Sequence, residues 1–195
     1  MPCFSWERSA ISEPSQLYAR VCISRPQLDE FLGGAFPDAG NDEAVLAWLA
    51  NASYYGDPYT PESIRERVGG DATIGRWIDG LTTPASFGLV MPSSVSYDDE
   101  TRTWTVAVLD FSENYDDYIA AVAVFREIAK YKDLPGDDGL LIYGFLFENG
   151  AVAVALRIEM GASQFLDESA TESLVSEANA AMEMLTAEGA ANYER

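Results

Sequence analysis

Leu140-Leu141-Ile142-Tyr143-Gly144-Phe145-Leu146-Phe147, then Glu148-Asn149-Gly150, then Ala151-Val152-Ala153-Val154-Ala155-Leu156-Arg157-Ile158-Glu159-Met160 is the stretch that decides the fold. Two long apolar runs rich in strand-forming residues flank an Asn-Gly pair, the residue types that supply positive φ in a tight hairpin turn. The two runs therefore read as an antiparallel pair of strands.

Working backward, the loop Asp133-Leu134-Pro135-Gly136-Asp137-Asp138-Gly139 reads as a solvated turn. It ends a helix expected over Glu113 to Tyr131. Tyr118, Ala121, Val122, Phe125, Ile128 and Ala129 are spaced there for one buried stripe, and Asp116-Asp117 sit in the first turn, where the helix dipole favours carboxylates. Before it, Thr101 to Phe111 alternates like a strand and is joined to Ser94–Tyr97 by Asp98-Asp99-Glu100, the turn of a second hairpin. Asp110, near the strand end, is expected to cap the turn into the helix. A further strand is expected at Ser86 to Met91.

Near the start, Leu17-Tyr18-Ala19-Arg20-Val21-Cys22-Ile23 alternates as a half-buried strand. Ser24 and Gln27 stand at capping-box spacing for a short helix that Gly33-Gly34 stops. Between about 35 and 85 the pattern changes to small helical pieces. Trp48 and its neighbours Val45, Leu46 and Leu49 form one apolar side; Thr60-Pro61 opens a second piece, ended by Gly69-Gly70; Ile74, Trp77 and Ile78 mark a third. Beyond Gly161 a final helix runs from about Thr171 to Ala187. The expected architecture is one α+β domain over 1–195. Its antiparallel sheet of about five or six strands carries two long helices on one face and a small helical insertion at about 35–85.

The chain has 195 residues with 32 acidic and 12 basic side chains and no histidine, a net charge of −20. The excess is not confined to a tail, since 15 of the acidic residues fall in 1–100 and 17 in 101–195. A uniformly acidic surface repels phosphate backbones and anionic headgroups and steers in a basic partner. Direct nucleic-acid binding is therefore not expected, and the longest apolar runs, Ile119 to Phe125 and Ala151 to Leu156, are far short of a membrane span. The opening Met1-Pro2-Cys3-Phe4 lacks the pattern of a secretory signal. With Cys22 inside an alternating strand, a free thiol in a reducing compartment is expected, which makes the localisation cytoplasmic.

The absence of histidine removes imidazole proton transfer and imidazole metal ligation. Two widely spaced cysteines cannot build a structural zinc site, and neither Asp133–Gly139 nor Asp98–Glu100 has the ligand alternation of a calcium loop. No Gly-x-Ser-x-Gly elbow or phosphate-cradling glycine pattern is present. No catalytic residue, cofactor or metal is assigned.

Aromatic residues among carboxylates are the positive signal. Tyr54, Tyr55, Tyr59, Trp77, Tyr97 and Tyr115 lie in or beside acidic segments, an arrangement suited to receiving arginine and lysine side chains. The expected partner-binding residues are Tyr54, Tyr55, Asp57, Tyr59, Asp98, Asp99 and Glu100. The function they suggest is a stoichiometric protein-binding module, an inhibitor or immunity-type antidote that neutralises a basic target such as a nuclease toxin or nucleic-acid-binding protein. Two alternatives stay open. One is a structural component of a phage or secretion system that self-associates as a homo-oligomer; the other is a carboxylate-only enzyme or small-ligand-binding protein.

Overall fold

The computed structural model of the chain describes residues 14–52, 57–68, 72–82, 92–145 and 151–193. Among the described residues, six strands form one antiparallel sheet: β1 (Ser15–Cys22), β2 (Ser93–Asp98), β3 (Thr103–Ser112), β4 (Asp138–Tyr143), β5 (Val152–Glu159) and β6 (Ala162–Phe165). Their order is β2-β3-β1-β4-β5-β6. The helices are α1 (Arg25–Gly33), α2 (Glu43–Asn51), α3 (Pro61–Val68), α4 (Ile74–Thr82), α5 (Tyr115–Glu127) and α6 (Glu172–Tyr193). The fold is α+β, as the sequence patterning requires. The expected strand at Ser86 to Met91, the Gly69-Gly70 stop and the Asn149-Gly150 turn lie outside the described residues.

The two long helices do not share a face. Leu17, Ala19 and Val21 of β1 pack with Leu140 and Ile142 of β4 against Ile119, Val122 and Phe125 of α5. Tyr18 of β1 and Leu141 and Tyr143 of β4 point the other way and pack against Leu174, Ala178, Met182 and Leu185 of α6. The reason lies in two elements. Every residue of β4 is buried, so this strand is covered on both faces. In α5, residues 118 to 125 are all buried, because one side meets the sheet and the other meets the small helices. Val45, Leu49 and Ile64 of α2 and α3 already occupy the outer side of α5, so the open sheet face is the one left for α6. Each large aliphatic or aromatic side chain withdrawn in this way contributes roughly 1.5–3 kcal/mol.

Three local expectations are corrected. Asn114, not Asp110, caps α5, accepting a bond from the Asp116 amide at 3.0 Å. The Ser24 side chain makes no cap bond on α1, and the Ser24 backbone N–H donates instead to Asp133 Oδ1 at 2.8 Å. Asp133 thus takes the donor that Gln27 would have accepted in a capping box, while the Gln27 amide turns to Glu30. Finally, the loop before β4 is not wholly solvated: Asp138 is 3% exposed and paired with Lys132. β6, the four residues that directly follow Gly161, has no counterpart among the expected strands; Gly161, at φ +77°, makes the tight turn that returns the chain along β5.

Candidate functional site

At the start of β3 the Asp98-Asp99-Glu100 turn is held rigidly by its own first residue. Asp98 Oδ1 accepts the amides of Glu100 at 2.8 Å and Thr101 at 3.2 Å, and these bonds hold its carboxyl below the usual range. Arg102 closes the turn at φ +52°, and its carbonyl accepts the Ile23 amide at 3.0 Å. Tyr97 Oη donates to the Ile23 carbonyl at 3.0 Å. The end of β1 is thereby fastened to this hairpin, and through Ser24 to Asp133.

Slight burial pushes Asp133 up, but the bonds from Ser24 and the nearby Arg102 outweigh it and hold the carboxyl below its ordinary value. Three chain segments therefore converge at one end of the sheet. They expose Asp98, Asp99 and Glu100 from the hairpin and Asp133 and Asp137 from the loop before β4. Two cations stand close by: the Arg25 guanidinium lies 4.7 Å over the Tyr97 ring and 4.0 Å from Asp29, and Arg102 is exposed beside Asp133.

The remaining expected residues lie elsewhere. Tyr54 and Tyr55 are outside the described residues. Asp57 is exposed. Tyr59 Oη donates to Asp116 Oδ1 at 2.8 Å, at the first turn of α5, where burial and the Asp116 carboxylate push the phenol up to about 12. The Arg67 guanidinium sits 5.5 Å from the Tyr59 ring centroid, so this ring already holds a cation of its own chain. Tyr59 belongs to the far end of β3, whose ten residues span roughly 30 Å. The structure does not bring Asp57 and Tyr59 together with Asp98, Asp99 and Glu100.

Beside Tyr59 runs an aromatic row that sequence spacing did not disclose. Phe165 stacks on Trp48 with centroids 5.6 Å apart, Trp48 on Tyr115 at 6.2 Å, Tyr115 meets Tyr118 at 5.1 Å, and Tyr118 stacks on Phe111 at 6.1 Å. Four separate elements supply these rings, so no local periodicity could have signalled them.

The cations of the fold are largely consumed internally. Arg20, Arg25, Arg65, Arg126, Lys130 and Lys132 each have a carboxylate within 4.0 Å. The acidic surplus is consequently displayed rather than neutralised. Among the described residues, no helix is long and apolar enough to cross a membrane. No group of three or more His, Cys, Asp or Glu side chains there could hold a metal ion. Compared with known protein families, curated proteins and solved structures, the chain matches none.

Proposed function

We propose that this chain is a stoichiometric protein-binding module of the cytoplasm. It acts as an inhibitor or immunity-type antidote against a basic protein such as a nuclease toxin or other nucleic-acid-binding protein. The observation that carries this reading is the convergence of Asp98, Asp99, Glu100, Asp133 and Asp137 at one end of the sheet, on backbone already fixed by the Asp98 and Ser24 hydrogen bonds. Carboxylates fixed before the encounter occupy the positions that phosphates would take on the target. They accelerate association, and the two that already accept backbone amides, Asp98 and Asp133, lose little side-chain freedom on binding.

The test is recovery of a partner from the native source at low salt, followed by measurement of its stoichiometry and association rate. A basic protein bound one to one is expected, released at high salt, with slower association to the Asp98→Asn/Asp99→Asn/Glu100→Gln variant. Equal association of that variant and the parent chain across the salt range would overturn the reading.

A further inference from the structure

The same end of the molecule carries a groove of about 680 Å³, within the size range of ligand sites. It lies between the 3-10 turn Ala39–Asn41 with the start of α2, the C-terminal end of α5 with the 3-10 turn Ile128–Lys130 that follows it, and the β5–β6 turn. Pairing of Asp138 with Ile158 and of Cys22 with Thr103 sets the β5–β6 turn and the Asp98–Glu100 turn at one end of the sheet. β5 is three strands from β3, a separation of roughly 14 Å.

The groove is built for a long side chain with a cationic head. Ala39, Ala123 and Ala129, each 3–4% exposed, make an apolar floor of small residues against which a methylene stem can lie. Most of the charges around it cancel. Arg126 grips Asp42 with Nε at 2.7 Å and Nη2 at 3.1 Å, and Lys130 holds Glu127 at 2.6 Å. Asp38 is held by Arg65 at 3.1 Å. Glu43, exposed in the first turn of α2, has no ion pair among the described residues and leaves the groove one negative charge in surplus. The C-terminal end of α5 adds the negative pole of a helix dipole on the opposite wall.

We infer that this groove receives an arginine or lysine side chain of the basic partner, its stem on the alanine floor and its head at Glu43. The inference rests on the reading that the partner is basic, and adds a second contact point to the Asp98–Glu100 turn.

The probe is Nα-acetyl-arginine amide, titrated into the full chain and followed by amide chemical shifts, with the norleucine and glutamate analogues as neutral and anionic controls. Saturable shifts at Glu43, Gly161, Ala162 and Ser163 are expected for the arginine probe alone. Binding should weaken about threefold in Glu43→Gln, the scale of one exposed ion pair, and be lost in Ala162→Phe, which fills the groove from an exposed position. No saturable shift at these amides, or equal binding by the glutamate analogue or by Glu43→Gln, would overturn the inference. Partner capture that is lost on substituting the Asp98–Glu100 turn but unchanged by Glu43→Gln and Ala162→Phe would sink the groove and leave the binding-module reading intact. Probe binding as expected, with no basic partner recovered, would do the reverse.

Discussion

Lys132 Nζ donates to Asp138 Oδ2 in an ion pair whose side chains are 1% and 0% exposed, the most deeply withdrawn charges in the described structure. The ammonium also donates to the carbonyls of Leu134 at 2.6 Å and Cys22 at 3.3 Å, so its hydrogen-bonding capacity is used. The pair ties the chain leaving α5 to the first residue of β4 and to the end of β1. Removing one partner strands the other charge in a dry site. Lys132→Met should therefore cost about 3–5 kcal/mol, whereas Lys132→Met/Asp138→Leu should recover most of that loss. Urea unfolding midpoints measure both; a single variant as stable as the parent contradicts the account.

Asp42 joins two roles, capping α2 through the amides of Ala44 at 2.9 Å and Val45 at 3.3 Å and receiving the Arg126 fork. Burial pushes its carboxyl up, but the bonds and charge of Arg126 together with the two amides prevail and hold it below the ordinary 3.8. A carboxyl lowered in the folded state stabilises fully above its unfolded pKa, and that stability fades as pH falls through the folded value. Stability should thus decline below about pH 4 with a contribution that Asp42→Asn lacks. Parallel slopes for the two proteins in acid unfolding would refute this assignment.

Two buried tyrosines should respond oppositely to loss of the hydroxyl. Tyr143 is fully buried and its Oη has no hydrogen-bond partner among the described residues, with burial pushing the phenol far up. Tyr118 Oη shares a hydrogen bond with Ser15 Oγ and donates to the Ser112 carbonyl at 3.1 Å. Tyr143→Phe should be neutral or stabilising, and Tyr118→Phe should lose about 1–2 kcal/mol. Thermal unfolding of the two variants, side by side, decides it.

Gly136 lies over the free thiol of Cys22. A Cβ at Gly136 would come within 2.6 Å of Cys22 Sγ and 2.8 Å of Asp138 Oδ1. Burial, then the nearby Asp138 carboxylate, push the thiol up. In a Cys3→Ser background, alkylation of Cys22 at pH 8 should be slower in the folded chain than in urea, and Gly136→Ala should speed it by displacing the loop. Unchanged labelling in Gly136→Ala would show that the loop does not guard the thiol.

Particular residues show how much could be read from the chain. Alternation at Leu17 to Ile23 and at Thr103 to Val108, and the apolar stripe of α5, have periods fixed by backbone geometry, so strand and helix were legible, although β1 is buried on both faces rather than half-buried because α5 covers one face and α6 the other. The acidic turn Asp98–Glu100 was legible too, because an Asp carboxylate that bonds amides two and three residues on is a local device. Asp133 as the acceptor for Ser24, Lys132 as the partner of Asp138, and Trp48 as the ring stacked between Phe165 and Tyr115 were not legible. Each depends on atoms brought close from distant or turned-back positions.

The chain by itself determined the α+β class, its antiparallel pairing and the excess of carboxylates, because side-chain periodicity and formal charge are properties of neighbours and of composition. Tertiary structure alone decided that α5 and α6 lie on opposite faces, that Asp138 is buried while Asp133 and Asp137 meet solvent, and that Tyr59 is remote from Asp98. These outcomes follow from competition for space: once α2 and α3 cover the outer side of α5, the second face of β4 can be shielded only by α6.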